Sequence, residues 1–482
     1  MQIGTILKIL GVLLIMFSLT LIPPFLVELY YQDGHTDSFA SSFFLIIFTG
    51  ILIWLPFRKQ KRELRTRDGF LIVALFWTMM CFASALPLYL APSLHISFAT
   101  ALFEATSGVT TTGATALFQL DGLPHSILYY RQQLQFLGGI GIIILAVAIL
   151  PMLGIGGMQL FRAESTGPVK DSKLTPRIAQ TAKGIWLIYF SLTFLCALIY
   201  WAEGMPLFDA IGHSYATIST GGFSTHDMSI GYFEKDNIEL TCIIFMFLGG
   251  ISFNLHFMAI HQKKTRPYLS DAEFRFYTKI LTGGFLITLI MLAFTQQYIS
   301  WDMIKDAIFQ TVSMMTTTGF ITTNFSAWPS FVPIMLLFLG IIGGCAGSTS
   351  GGIKVIRILL LKLQGEREIQ RLVHPHGNYT IKLGGHPIAP RVIEGVWSFL
   401  AMYIFIFTVF LILMLFVEND LLTAYSALLT TISNTGPGLG SISSHFGSLK
   451  DASKWILSAA MLIGRLEIFT IIVLFSRAFW RA

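Results

Sequence analysis

Four short segments of this chain carry hydroxyl or amide side chains directly before a glycine. They read TTTGA, ISTGG, TTTGF and SNTGP, and the fourth residues of these segments are Gly113, Gly221, Gly319 and Gly436. Hydroxyl and carbonyl oxygens can replace the hydration shell of a cation, and glycine permits the positive φ angles that aim carbonyls inward. None of the segments contains a carboxylate, which favours a large monovalent ion. Because the motif occurs four times, we predict one ion filter built from four loops rather than four unrelated turns.

The predicted filter comprises all residues of the four segments, aligned on these glycines. In this alignment the residue immediately before the glycine is always a threonine. The predicted filter residues are Thr110, Thr111, Thr112, Gly113, Ala114, Ile218, Ser219, Thr220, Gly221, Gly222, Thr316, Thr317, Thr318, Gly319, Phe320, Ser433, Asn434, Thr435, Gly436 and Pro437.

An apolar stretch precedes each segment and must position it. Each stretch has about a dozen residues, whereas about 20 are needed to cross a bilayer, so we predict short re-entrant helices. Acidic residues near three of their starts, Asp209, Asp302 and Asp420, suit helix N-termini. The C-terminal end of such a helix offers the negative end of its dipole to a cation in the filter.

The composition requires a bilayer around these elements. The 482 residues are 54% hydrophobic and 12% charged, against about 25% charged in soluble domains. The N-terminal run is too long for a signal-peptide core, so we predict a retained helix. The fold class is therefore an all-α polytopic membrane protein with ten transmembrane helices. The apolar runs lie near residues 5–30, 40–57, 69–92, 132–161, 183–202, 238–261, 274–295, 330–362, 392–417 and 453–478.

Basic residues are concentrated in the loops of one side. Those loops and the two termini hold 26 of the 32 Lys and Arg residues, counted along the chain, which the positive-inside rule places in the cytoplasm. The net charge of +6 is therefore explained by the orientation of the chain in the membrane and does not indicate nucleic-acid binding. Arg465, inside the apolar run near 453–478, is the one basic residue assigned to neither side. The opposite loops hold Arg131, Lys235, Lys305, Lys450 and Lys454.

The spans and filter segments combine into four pseudo-symmetric helix–pore helix–helix units around one central pore. Every filter segment lies on the non-basic side, so the four units share one orientation, whereas many coupled transporters contain inverted repeats. An extra helix pair occupies residues 1–67, and the pore units are predicted at 68–167, 168–265, 266–365 and 366–482.

The run GIIGGCAGSTSGGIK, residues 340–354, is too rich in glycine for an ordinary helix, because each glycine costs about 1 kcal/mol relative to alanine. It could form a tight helix crossing, but we favour a loop inside the membrane beneath the filter. Arg465 is a second functional candidate, since a buried arginine is costly and Glu467, two residues on, faces elsewhere on a helix. The predicted gate residues are Gly343, Gly344, Cys345, Ala346, Gly347, Ser348, Thr349, Ser350, Gly351, Gly352 and Arg465.

Other features indicate no bond-breaking chemistry. The eleven histidines are scattered, and residues 363–391 contain no nucleotide-binding motif. Two questions stay open: whether Glu104 braces the filter or adds field at the pore mouth, and whether 363–391 docks a partner or only connects two units. The cysteines lie far apart in apolar context, which favours packing over zinc or disulfide sites; they are Cys81, Cys196, Cys242 and Cys345.

These motifs and their arrangement resemble the Trk/Ktr/HKT superfamily of cation transporters, most closely its bacterial TrkH-type group, over essentially the whole chain. The resemblance implies potassium preference with rubidium tolerated, because a serine in place of Gly113 marks the sodium-selective members. It also implies that residues 343–352 form a gating loop and that Arg465 projects into the permeation path. The implied partners are a cytoplasmic TrkA-type subunit that binds NAD(H) or ATP, a second copy of this chain, and the lipid of the bacterial inner membrane.

We therefore expect channel-like potassium uptake through the filter, gated by the loop, by Arg465 acting as an electrostatic barrier, and by a regulatory subunit. Potassium is the transported ion, and no organic cofactor is expected on this chain. A symporter that couples potassium to a proton or sodium is the alternative, although ionisable residues for a proton relay are sparse in the spans. An integral-membrane enzyme is a weaker alternative, because it would need clustered His, Asp or Glu near one membrane face.

Overall fold

The computed structural model describes residues 1–60, 66–144, 174–329 and 331–481, and these are predominantly helical, as predicted. A small antiparallel hairpin, β1 (Lys382–Leu383) with β2 (His386–Pro387), lies in the long connection 374–389. The helices are α1 (Ile3–Leu19), α2 (Ile22–Tyr31), α3 (Thr36–Trp54), α4 (Thr66–Tyr89), α5 (Phe98–Val109), α6 (His125–Ile144), α7 (Leu174–Ala202), α8 (Leu207–Ile218), α9 (Asp236–Gly249), α10 (Phe253–Gln262), α11 (Arg266–Ser270), α12 (Ala272–Gln296), α13 (Trp301–Met315), α14 (Val332–Ile342), α15 (Val355–Val373), α16 (Pro390–Val417), α17 (Leu421–Ile432), α18 (Asp451–Arg465), α19 (Phe469–Phe475) and α20 (Arg477–Trp480).

Each filter segment follows a helix that is too short to span a bilayer. Three of these helices, α5, α8 and α17, have 12 residues, and α13 has 15. Side chains cap three of the N-termini, because Ser97, Ser300 and Asp420 each accept a hydrogen bond from a backbone N–H in the first turn. The short helices expected from the sequence are therefore present, and each delivers its C-terminal end to a Thr-Gly segment.

The apolar core surrounds the ends of the short helices. The last residues of α5, α8 and α13 are fully buried and belong to the largest core cluster; they are Val109, Ile218 and Met315. Ile432, the last residue of α17, lies in a second cluster built mainly from α16, α17 and α18. All four cysteines are buried and free, as predicted.

Two of the predicted spans are bent and not continuous. α9 and α10 meet at 94°, and α18 and α19 meet at 110°. The spans predicted at 238–261 and 453–478 are therefore each interrupted by a bend. Each stretch is apolar on average, which is why its sequence predicts a span, and the second bend follows Arg465, the arginine inside that run.

The first bend has a clear hydrogen-bonding cause. Cys345 N–H donates to Gly250 O at 2.9 Å, and Thr349 N–H donates to Gly249 O at 3.4 Å. These donors come from the glycine-rich run and pair carbonyls that α9 leaves free where it ends. The bend is therefore stabilised by a segment about one hundred residues further along the chain, as these contacts show.

Six helices among the described residues are long and apolar enough to cross a membrane, or eight if each bent pair is one span. Their outer faces are apolar, with Phe294 and Phe416 exposed by 77% and 88%. These features indicate a membrane protein, while the ten-span count stays a prediction. The end of the predicted span 132–161 and the boundary between units 68–167 and 168–265 lie outside the described residues.

The N-terminal helices α1 and α3 meet backbone to backbone. A Cβ on Gly11 would lie 2.7 Å from Trp54 N and 2.8 Å from Gly50 O, closer than ordinary contact. Small residues permit this approach, which contributes dispersion energy between two apolar helices in lipid.

We expect Gly11→Leu to destabilise the protein by about 1–3 kcal/mol, because the added side chain forces α1 away from α3. The measurement is thermal unfolding of the purified protein in detergent. Gly283→Leu is the matched control, since a Cβ on Gly283 would meet nothing within 4 Å. Both variants replace a helical glycine by leucine, so the change in helix propensity is the same. Equal melting temperatures for the two variants would contradict the packing assignment.

Candidate ion-binding site

The backbone angles of the four loops define a common register. In each loop one polar residue has φ between 50° and 56°, namely Thr111, Thr220, Thr317 and Asn434. Two residues later a glycine has φ between 78° and 96°, and these glycines are Gly113, Gly222, Gly319 and Gly436. In this register Gly222 is the counterpart of the other three glycines, and Gly221 is not.

Backbone hydrogen bonds give the same register. The N–H groups of Thr112, Gly221, Thr318 and Thr435 each donate, at 2.8–2.9 Å, to the carbonyl five residues earlier. The alignment of the second loop on Gly221 is therefore wrong by one residue. Its five positions are 219–223, so Ile218 ends α8, and Phe223 is a loop residue that the sequence alignment omitted.

The four loops contact one another in a closed order. A Cβ on Gly113 would overlap Gly221 O, one on Gly222 would overlap Thr318 O, and one on Gly319 would overlap Thr435 O. The order closes because a Cβ on Gly436 would lie 2.7 Å from Thr112 O. Glycine is thus required at each of these positions for two reasons: its φ is positive, and a Cβ would collide with the carbonyl of the next loop. All four glycines line one shared cavity.

Three loops are braced from behind by a pair of their own hydroxyl groups. Thr110 Oγ1 and Thr112 Oγ1 lie 2.7 Å apart, and the corresponding atoms of Thr316 and Thr318 are also 2.7 Å apart. Ser433 Oγ and Thr435 Oγ1 form the third pair at 2.9 Å. These six residues are at most 1% exposed, so their side chains support the loops from within the protein.

Glu104 and Arg131 form a buried ion pair beside the first loop. Arg131 Nε lies 2.7 Å from Glu104 Oε1, and both residues are 0% exposed. Glu104 also accepts hydrogen bonds from Thr115 Oγ1 at 3.0 Å and from Ala116 N–H at 2.7 Å. The open question about Glu104 has a structural answer, since its carboxylate braces the chain just after Gly113.

Arg131 connects the first loop to the second. Its Nη2 donates to Thr115 Oγ1 at 3.0 Å, its Nη1 donates to Ser224 O at 3.2 Å, and its guanidinium lies 4.3 Å from the centre of the Phe223 ring. Sequence reasoning counted Arg131 as a residue of an exterior loop. The role of Arg131 becomes visible only from its ion pair with Glu104, which lies 27 residues away in sequence. The spacing of these two residues in the sequence does not predict the pair.

A histidine joins the outer ends of the first two loops. His226 Nδ1 contacts the carboxylate of Asp121, and His226 Nε2 lies 3.5 Å from Asp209 Oδ2. Burial would lower the pKa of His226, but these carboxylates outweigh burial and raise that pKa above its ordinary value. The charged form of His226 is therefore favoured at the mouth of the shared cavity, which this residue lines.

The glycine-rich run is a loop and not a helix crossing. α14 ends at Ile342, α15 begins at Val355, and the residues between them have no helical assignment. Gly343, Gly347 and Gly352 have φ of 73–74°, a conformation that suits glycine. The alternative of one helix over 330–362 is therefore wrong.

The loop lies against the ends of three short helices. Thr349 Oγ1 donates to Ile218 O at 2.9 Å, at the end of α8. Gly351 N–H donates to Thr317 Oγ1 at 2.6 Å in the third filter loop. Gly352 N–H donates to Ser433 O at 2.8 Å in the fourth. The loop therefore occupies the space directly beneath the filter segments.

Arg465 reaches this loop from the end of α18. The residue is 3% exposed, and its Nη1 donates to Thr349 O at 2.9 Å. Its Nε and Nη2 are buried and have no hydrogen-bond partner. Glu467 does not neutralise it, because that carboxylate pairs with Arg357 at 2.6 Å. A buried charge therefore lies beside the loop, with only one of its donor nitrogens paired to the protein.

A metal centre of the enzymatic kind has no support in the part of the chain that the structure covers. In the four described ranges no group of three or more His, Cys, Asp or Glu side chains could hold a metal ion. The site offers backbone carbonyls, which are ligands for an alkali cation.

Comparisons with known proteins agree with this chemistry. The family model TrkH, described as a cation transport protein, matches residues 35–481. The chain belongs to this family. It is 51% identical to the Trk system potassium uptake protein TrkH of Vibrio parahaemolyticus and 50% identical to that of Escherichia coli K12, with full coverage of each chain. The crystal structure of the potassium transporter TrkH from Vibrio parahaemolyticus covers both chains completely with a TM-score of 0.93 and 48% identity.

Family membership confirms the resemblance stated from the Thr-Gly motifs. It also confirms that the chain is a transport protein and not an enzyme, since the related proteins are named as uptake proteins.

We expect Arg131→Met to destabilise the protein by about 3–5 kcal/mol, because it leaves Glu104 buried without its partner. Thermal unfolding in detergent measures this, and the double variant Arg131→Met/Glu104→Gln should recover part of the loss. Lys362→Met is the control, because Lys362 and Glu366 form an exposed pair, with both side chains more than 50% exposed. If Arg131→Met melts like the control, the pair does not brace the loops.

Proposed function

We propose that this chain carries potassium ions inward across the bacterial inner membrane through a pore filtered by the loops 110–114, 219–223, 316–320 and 433–437. The observation that carries the proposal is the closed order of the four loops, in which each glycine meets a carbonyl oxygen of the next loop. Four equivalent loops around one cavity offer a ring of oxygens that can replace a hydration shell. We place the four loops in four units around one pore, with the extra N-terminal helix pair outside these units.

Potassium is the ion that the ring suits best. The loops contain no carboxylate, so selectivity depends on carbonyl and hydroxyl oxygens and not on net charge. The first loop has glycine at 113 where sodium-selective members of the superfamily have serine. The related proteins of Vibrio parahaemolyticus and Escherichia coli are named as potassium uptake proteins.

The loop 343–352 and Arg465 form the gate in this proposal. The loop closes the path beneath the filter, and the buried guanidinium adds a positive charge that opposes the passage of a cation. Arg465 holds the loop through Thr349 O. Opening therefore requires the loop to leave the filter loops and the end of α18 together.

Regulation is assigned to other chains. We place a TrkA-type subunit that binds NAD(H) or ATP at the basic, cytoplasmic side, with both termini of this chain, and a second copy of this chain beside it in the lipid. The exposed apolar residues Ile369, Leu372 and Val373 on α15 lie next to the long connection 374–389 and suit the docking of that subunit. In this proposal the segment 363–391 docks the regulatory subunit and does more than connect two units.

Flux through purified protein in liposomes tests the function. We expect potassium and rubidium to pass faster than sodium, with rates that do not depend on a pH gradient, because all units share one orientation and passive permeation needs no coupled ion. Gly222→Ser should lower the potassium-to-sodium flux ratio, since its side chain would displace Thr318 O.

Gly283→Ala is the control for this measurement, because open space surrounds that position. An obligatory proton or sodium movement with each potassium ion would favour the symporter over the channel. An unchanged flux ratio in Gly222→Ser would contradict the four-loop filter.

Arg465→Ala should increase potassium flux, because it removes both the buried positive charge and the hydrogen bond to Thr349 O. Rates in liposomes and single-channel open probability measure the effect. Arg391→Ala, at an exposed position on α16, is the matched control and should leave both quantities unchanged. Equal flux in the two variants would remove Arg465 from the gate.

A further inference from the structure

The second filter loop lacks the hydroxyl brace of the other three. Gly221 occupies the position of Thr112, Thr318 and Thr435, so the second loop has no side chain there. The remaining hydroxyl of the pair, Ser219 Oγ, turns back and donates to Ala216 O at 3.3 Å. The backbone of this loop nevertheless has the same φ pattern as the others. Another group must therefore hold it in place.

Gln135 on α6 occupies the space of the missing side chain. A Cβ on Gly221 would lie 2.5 Å from Gln135 Cδ and 2.6 Å from its Oε1. The Gln135 side chain is fully buried, and its Nε2 donates to Gly221 O at 2.6 Å. Its Oε1 accepts from Phe223 N–H at 3.0 Å. The carboxamide therefore binds the backbone on both sides of Gly222.

The contact reaches beyond the second loop. Gly221 O, which Gln135 holds, is the oxygen that lies against the Cα of Gly113 in the first loop. α6 itself is fixed to the first unit, because the backbone at Gly138 packs directly against Val109 O at the end of α5. Gln135 thus sets the position of the second loop relative to the first.

We propose that Gln135 is a positioning residue for ion selectivity, which supplies from the first unit the brace that the second loop lacks. This proposal rests on the four-loop filter proposed above. Its chemical basis is that a carboxamide can donate and accept at once, so one side chain fixes a carbonyl and an N–H of the same loop. A hydroxyl pair behind the loop performs this bracing in the other three units.

Gln135→Leu keeps the size of the side chain and removes both hydrogen bonds. We expect the potassium-to-sodium flux ratio in liposomes to fall about tenfold, a change that lies within what the loss of two buried hydrogen bonds can cause. Gln133→Leu is the matched control on the same helix, because Gln133 is also buried but its Nε2 donates to Thr20 O, away from the loops. A merely structural loss would lower the fluxes of both ions together and leave their ratio unchanged.

Exchange of the two braces provides an independent test. Gly221→Thr alone should impair flux, because the new side chain collides with Gln135. The double variant Gly221→Thr/Gln135→Ala should restore the ratio towards that of the native protein, since the introduced hydroxyl can pair with Ser219. Gln135→Ala alone should not restore it. If Gln135→Leu does not fold, the double variant alone tests the proposal. A native-like potassium-to-sodium flux ratio in the double variant supports the proposal. A ratio equal to that of Gln135→Ala overturns it.

The Gly222→Ser variant separates the two levels of inference. A lowered ratio in Gly222→Ser with a native ratio in Gln135→Leu leaves the filter intact and overturns the role of Gln135. A native ratio in Gly222→Ser overturns the filter, and with it the role of Gln135.

Discussion

The close approach of a glycine Cα to a backbone carbonyl of the next loop is the constraint on which the rest of the structure depends. It occurs at Gly113, Gly222, Gly319 and Gly436, and it leaves no room for a side chain at any of them. A contact between a Cα and a carbonyl oxygen is weak, so it cannot by itself hold the four loops at this distance. Each loop therefore needs an external brace, and the short helices, hydroxyl pairs and buried polar side chains supply it.

The braces differ although the loop backbones are alike. Hydroxyl pairs lie behind the first, third and fourth loops, while Gln135 on α6 binds the second. Arg131, one turn before Gln135 on α6, adds a second connection from the first loop to the second through Ser224 O. α6 is thus the element that holds the two loops together, and a repeat with fourfold backbone symmetry is compatible with strongly asymmetric support.

The sequence predicts the parts of this protein whose signal is local. Apolar stretches of sub-spanning length gave the four short helices, and glycine content gave the loop at 343–352. The sequence alignment of the second loop is wrong by one residue because Thr220-Gly221 matches the Thr-Gly pair of the other loops, whereas the structurally equivalent pair is Gly221-Gly222. The phenylalanine that follows the glycine in both TGGF and TTGF carried the better signal.

The remaining misses have a common physical cause. Arg131, Gln135 and the bend between α9 and α10 all depend on partners at least 27 residues away in sequence. Hydropathy and motif spacing describe a segment by its own residues, so they cannot show which distant donor satisfies a given carbonyl. In a membrane protein such donors are decisive, since water is not available to replace them.

Hydrogen bonds between distant segments also connect the proposed gate to the proposed filter. The loop 343–352 donates to Ile218 O and to Ser433 O, both at the ends of short helices whose following residues form the filter. When the loop moves away, these carbonyls lose their partners at the point where the negative ends of two helix dipoles meet the ion path. A cation or water must then satisfy them. In the proposed mechanism, opening of the gate therefore makes the space beneath the filter more attractive to a cation in the same step that removes the obstruction.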